Sequence, residues 1–225
     1  MHNKILKRFF TTMVVGLIAI IIPGKVQAEE TKDAVILYTN DVHCAIDDYS
    51  YLAAYAAQLE TEGYEVVIID AGDAIQGEII GTQTEGSAVI DIMNEVGYDY
   101  AVPGNHEFDY GMDVFLDLSS DDNSNFEYLC SNFIDLRTNE NVFDSYEIIE
   151  LNGEKIAILG ITTPETYTKS TPAYFQDENG TIIYGFSQNN FYETIQNAID
   201  SAKAEGAQTT PEIGTEIIIP FTGGK

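Results

Sequence analysis

Val66-Val67-Ile68-Ile69-Asp70-Ala71-Gly72-Asp73 decides how the chain is read. Four β-branched apolar residues in a row are too short for a buried helix and suit a strand covered on both faces. The run ends in a carboxylate, and Gly72-Asp73 then turns the chain. The same pattern recurs on either side. Upstream, Ala34-Val35-Ile36-Leu37-Tyr38-Thr39 runs into Asn40-Asp41-Val42-His43. Downstream, Tyr100-Ala101-Val102-Pro103 runs into Gly104-Asn105-His106-Glu107-Phe108-Asp109. Helical segments lie between these strands. Residues 51–62 are rich in Ala and Leu and close at Gly63. Residues 87–96 place Val89, Ile92, Met93 and Val96 at helical spacing before Gly97. Strands alternating with helices predict an α/β layered domain.

The second half continues the alternation. Residues 111–118 read as a helix, and residues 128–132 as a strand running into Asn132. Residues 146–151 and 155–161 flank Asn152-Gly153, a strong hairpin signal that makes the sheets mixed. A Thr- and Pro-rich loop over 162–172 follows. Over 191–205, Phe191, Ile195, Ala198, Ile199 and Ala202 share one face of an amphipathic helix. Residues 216–219 offer one more short strand. No internal repeat is visible.

At 225 residues and 44% hydrophobic composition the chain suits one domain with a sizeable core. Its formal charge of −27 argues against binding nucleic acid or anionic lipid, both of which are themselves negative. Lys4, Lys7 and Arg8 precede an apolar stretch over 13–22, the break Pro23-Gly24, and Val26-Gln27-Ala28. This pattern predicts a signal peptide over 1–28 and a domain over 29–225. A secreted protein follows, in the extracellular space, cell envelope or periplasm, with no stable membrane insertion after cleavage. A retained N-terminal anchor is the alternative. Two cysteines are too few for a disulfide framework. Cys44 and Cys130 could pair in an exported chain, and Cys44 also suits packing as a small apolar residue.

The three polar clusters follow three strands, where ligands collect in open α/β sheets. Asp41, Asp73 and Asn105 recur at intervals of 32 residues, each gap long enough for a helix and a return strand. Asp and His together hold borderline divalent ions such as Zn²⁺ or Mn²⁺. Asp41 and His43 can face one ion, Asp73 sits where a carboxylate could bridge two, and Asn105 offers an amide oxygen. Two such ions can clamp a phosphate ester and activate a water. His106 would then stay off the metal and stabilise the transition state or protonate the leaving group, with Asp109 orienting its ring. Read singly, Asp41 could cap a turn and either histidine could be a surface residue. Of the three histidines, only His2 lies outside these clusters.

These residues resemble the calcineurin-like metallophosphoesterases. Gly104-Asn105-His106-Glu107-Phe108-Asp109-Tyr110-Gly111 is similar to the branch containing 5′-nucleotidases, UDP-sugar hydrolases and 2′,3′-cyclic phosphodiesterases. The resemblance covers about residues 34–206. It implies a four-layer αββα sandwich of mixed sheets and two divalent metal ions held by Asp41, His43, Asp73 and Asn105. It also implies a catalytic pair, His106 and Asp109, and a small-molecule nucleotide substrate. The family adds later His ligands in Gly-His segments and a C-terminal domain that binds the base, yet no His follows His106 here. The expectation is therefore a domain incomplete at its C-terminus. The alternative is a truncated or catalytically inactive secreted domain with at most weak metal binding.

Overall fold

A computed structural model describes residues 34–187, 190–207 and 221–222. The expected signal peptide and the possible strand at 216–219 lie outside the described residues. The first sheet is parallel, in the order β1 (Ala34–Thr39), β2 (Glu65–Asp70), β3 (Tyr100–Ala101) and β4 (Glu127–Tyr128). Between these strands come α1 (Tyr49–Thr61), α2 (Ile79–Thr84), α3 (Ser87–Val96) and α4 (Met112–Leu118).

The alternation of β2 side chains assigns the layers. Ile68 faces a core shared with Ala56 of α1 and with Val89, Ile90 and Met93 of α3. Val67 and Ile69 face the opposite way, onto Leu151, Ile156 and Ile158. Those three belong to an antiparallel hairpin, β7 (Tyr146–Leu151) with β8 (Glu154–Leu159). Between β4 and this hairpin run β5 (Phe133–Asp135) and β6 (Glu140–Asn141). Asn152 and Gly153 have φ of 51° and 79°, the left-handed pair that a two-residue hairpin turn requires. After the hairpin come β9 (Ile161–Thr162), α5 (Thr166–Lys169), β10 (Tyr184–Phe186), α6 (Phe191–Ala204) and β11 (Phe221–Thr222), which pairs in parallel with β9. The outer side of the hairpin region, Leu159 and Ile161, packs on Ala198, with Tyr146, Phe191, Ile195 and Ile199 around it. Helix, sheet, sheet, helix is thus the layer order, as the resemblance implies. Fully buried residues such as Ile69 and Ile158 each stabilise this stack by about 1.5–3 kcal/mol.

Two strands end earlier than the sequence suggests. The expected strand over 155–161 breaks at Gly160, where a Cβ would lie 1.9 Å from the Leu129 carbonyl oxygen. Only glycine lets the two backbones approach so closely, and Ser131 N–H then donates to the Gly160 carbonyl at 2.9 Å. The expected strand over 128–132 leaves the first sheet after Tyr128. Leu129 N–H still reaches Ala101, but Cys130 N–H turns to Asp144. A three-stranded sheet, in the order β10-β5-β6, escapes the sequence reading altogether. It covers an aromatic core in which Phe133 and Phe186 stack at 5.1 Å. Cys44 and Cys130 are both buried and unbridged, which excludes the pairing and leaves Cys44 a packing residue.

Candidate metal centre

Each cluster grows from the end of a strand. The segment after β1 and the segment after β2 run side by side: Asp41 N–H donates to Gly72 (3.0 Å), His43 N–H to Asp73 (2.9 Å) and Cys44 N–H to Ala74 (2.9 Å). Asp41, His43, Cys44 and Asp73 hold left-handed φ of 54°, 50°, 62° and 60° without being glycine. Such residues cost on the order of 1–3 kcal/mol each and collect at functional sites. Here they fall on the two loops, after β1 and after β2, that carry His43 and Asp73 to the site.

The turn after β3 locks onto the same place. A Cβ on Gly104 would lie 2.2 Å from Asp73 Oδ1, so only glycine fits there. His106 N–H donates to that same oxygen at 2.8 Å. Glu107 is buried and accepts three backbone amides: Asp73 (2.9 Å) and Gly104 (2.6 Å) on Oε2, and Ala74 (2.8 Å) on Oε1. Phe108, fully buried, drives the turn into the core, its ring 5.0–5.9 Å from those of Phe115, Phe133, Phe175 and Phe186. The sequence reading gives Glu107 and Phe108 no task. A Glu-Phe pair inside a turn motif is the signal the sequence offers.

His43, Asp73 and His106 present ligand atoms within 4.8 Å of one another, and the two imidazoles meet edge-on at 5.0 Å. His43 has Nδ1 3.1 Å from the Gln76 carbonyl oxygen, so this nitrogen carries the hydrogen and Nε2 stays open as a ligand atom. Nε2 lies 3.6 Å from Asp41 Oδ1, and the other Asp41 oxygen accepts from the Asn40 amide. Asn105 is buried at the start of the turn. His106 Nδ1 donates to Asp109 Oδ2 at 2.6 Å, and Ser170 Oγ donates to Asp109 Oδ1 at 3.2 Å. All six residues singled out from the sequence therefore lie on three adjoining segments. The tight donor set nevertheless takes in His106, which the sequence reading keeps off the metal, and leaves Asp41 at its edge.

The electrostatics call for a cation. Burial pushes Asp70 up to about 6, although Thr39 and the Gly72 amide hydrogen-bond its carboxylate. Burial, and then the nearby Asp73 and Asp70 charges, push Glu107 up to about 8. Asp73 is raised as well, by burial, against the opposing pull of the His106 amide and the two imidazoles. Among the described residues no Lys or Arg forms an ion pair with Asp41, Asp70, Asp73 or Glu107. Three clustered, buried acids beside two imidazoles, with no basic side chain to balance them, fit a divalent metal ion.

The family model of the calcineurin-like phosphoesterases matches residues 34–202. The chain belongs to this family. Calcineurin-like phosphoesterases use divalent metals, in keeping with the donor set. The chain is 33% identical over 165 residues to a snake venom 5′-nucleotidase of Gloydius brevicauda, which covers 64% of this chain and 28% of the venom protein. It is 26% identical over 204 residues to the trifunctional nucleotide phosphoesterase YfkN of Bacillus subtilis, covering 77% of this chain and 13% of that one. A 5′-nucleotidase precursor from Thermus thermophilus shares the fold, with a TM-score of 0.64 at 23% identity over 78% of this chain and 36% of its own. The chain thus spans less than a third of the length of the venom and Bacillus relatives, and 36% of the Thermus protein. Among the described residues, no helix is long and apolar enough to cross a membrane.

Proposed function

We propose that this chain carries the catalytic part of a metal-dependent phosphate-ester hydrolase acting on small-molecule nucleotides outside the cytoplasm. One observation carries the reading: His43, Asp73 and His106 converge from the ends of three adjacent parallel strands. The substrate class is supported by relatives that are themselves 5′-nucleotidases and nucleotide phosphoesterases. Export is supported by Lys4, Lys7 and Arg8, the apolar stretch over 13–22 and Val26-Gln27-Ala28.

In this reading Asp41 and His43 would hold one divalent ion and Asn105 a second, with the Asp73 carboxylate serving both. Zn²⁺ or Mn²⁺, when bound, supplies the Lewis acidity and the activated water for an in-line displacement. The protein's own residues do the rest. Gly104 leaves room for the Asp73 carboxylate, and Glu107 ties the backbones on both sides of it together. His106, when protonated, donates from Nδ1 to Asp109 and from Nε2 to the leaving oxygen.

The test is phosphate release from AMP by the full chain with added Mn²⁺ or Zn²⁺, beside an Asp73→Ala control. Metal-dependent release that vanishes in the control is the expected result. A second reading is a secreted domain that binds metal weakly without turnover. A folded chain that takes up metal but releases no phosphate from any nucleotide would establish that second reading and reject the first.

A further inference from the structure

We infer that Ser170 is a positioning residue for His106, acting through Asp109; the inference rests on the proposed hydrolase reading. A carboxylate hinged at Cβ–Cγ holds an imidazole in one orientation only when its own rotation is stopped. Asp109 gives Oδ2 to His106 Nδ1 at 2.6 Å, and its other oxygen accepts from Ser170 Oγ at 3.2 Å. The Asp109 side chain is 23% exposed, so without Ser170 water would compete for Oδ1 and the carboxylate would be free to turn.

Ser170 lies 61 residues from Asp109 and is itself held in place. Its N–H donates to Thr166 at 3.0 Å, closing the short helix α5. Thr166 and Thr162 are both buried, with hydroxyls 3.4 Å apart. Thr162 is clamped from the far side by the fully buried Asn132. Its N–H donates to Asn132 Oδ1 at 3.1 Å, and its carbonyl accepts from Asn132 Nδ2 at 2.7 Å. Side-chain and backbone bonds therefore connect the Asn132 clamp to the ring of His106. Their common output is the angle at which Nε2 meets the substrate. In metal sites, removing the group that holds an imidazole from behind costs about 10–100-fold; Ser170 stands one bond further out, which sets the expectation at the lower end.

The experiment compares Ser170→Val with Ser170→Thr, a pair matched in shape and differing only by the hydroxyl. Thr168→Ala, on the exposed side of α5, serves as the control for local disturbance. With AMP and Mn²⁺, the Val variant should lose about tenfold in kcat with KM unchanged, while the Thr variant keeps the wild-type kcat. Equal kcat in the Val and Thr variants would overturn the proposal. If wild type itself releases no phosphate, the hydrolase reading has failed and a second readout decides the present one. A proton held between His106 Nδ1 and Asp109 resonates in ¹H NMR far downfield of the amides, whether or not the chain turns over. Loss or broadening of that signal in the Val variant, with retention in the Thr variant and in Thr168→Ala, supports the positioning role. An unchanged signal in the Val variant refutes it, and so does loss in Thr168→Ala.

Discussion

Replacing Asp70 by Asn should stabilise the metal-free protein at neutral pH. Asp70 is buried, and its folded-state pKa lies at about 6 against an ordinary 3.8. A carboxyl raised in this way binds its proton more tightly when folded. Its full share of stability is present below pH 4 and is lost as the pH rises through 6. Roughly two pKa units at 1.36 kcal/mol each make about 3 kcal/mol of penalty above that range. Asn carries no charge and escapes it. The amide also fits the existing hydrogen bonds: its oxygen can accept from Gly72 N–H, and its NH₂ can donate to the Thr39 hydroxyl. That hydroxyl, 2.7 Å from Tyr98 OH, then donates onward. Urea unfolding of chelator-treated protein from pH 4 to 7.5 measures the effect. The two proteins should match near pH 4, and the variant should gain about 3 kcal/mol by pH 7, equivalent to about 6–12 °C in Tm. A gap that does not change with pH, or a variant less stable at pH 7, would refute the reasoning. Added Mn²⁺ should narrow the gap, because a nearby cation lowers the penalty on the ionised wild-type carboxyl.

Gly104→Ala sets a methyl group against the Asp73 carboxylate; turnover should fall by about 10²-fold as that carboxylate is displaced, with bound metal measured in parallel by elemental analysis. Glu107→Gln turns an NH₂ group toward one of the three amides that Glu107 now accepts; it should cost about 1–3 kcal/mol in denaturant unfolding at pH 5, where the acid is protonated, and less above pH 8. His106→Gln separates two roles: as proton donor it loses about 10²–10⁴-fold in kcat with metal content unchanged, whereas a metal-ligand role, which its membership of the donor triad allows, predicts loss of metal too.

Periodicity located what depends on local sequence. The run at Val66 has one strand geometry open to it, and Ser87–Val96 forms the helix that its spacing and its Gly97 stop predict. The hairpin turn was legible because Asn152-Gly153 tolerates left-handed φ. Non-local geometry was not legible. The strand over 155–161 is cut because Gly160 meets Leu129, about thirty residues earlier, and no local pattern announces that meeting. Strands β5, β6 and β10 are two or three residues long, too short for an alternation to show in the sequence. At the site, the residue types gave the candidates and the His106–Asp109 pair, but the contacts around Asp73 and the support from Ser170 came only with the fold. His106 lies within reach of both Asp73 and Asp109, and spacing alone shows neither which nitrogen faces which partner nor that Ser170 stands behind.

The segment from Gly104 to Asp109 shows why a short motif can be so informative. In one tight turn, five of its residues do separate tasks. Gly104 admits the Asp73 carboxylate, and the His106 backbone amide binds it. Glu107 gathers amides from its own turn and from the loop after β2, and Phe108 fastens the turn to the core. Asp109 closes on the His106 ring. The tasks depend on one another. If Phe108 does not hold the turn in the core, Glu107 cannot reach the Asp73 and Ala74 amides; without those bonds the Asp73 carboxylate is not fixed against Gly104. Burial, and then one another's charge, raise the pKa of the acids gathered here, so the apoprotein carries an electrostatic cost that a bound cation relieves. A site strained in its backbone and short of positive charge is stabilised by metal to a degree that grows with that cost.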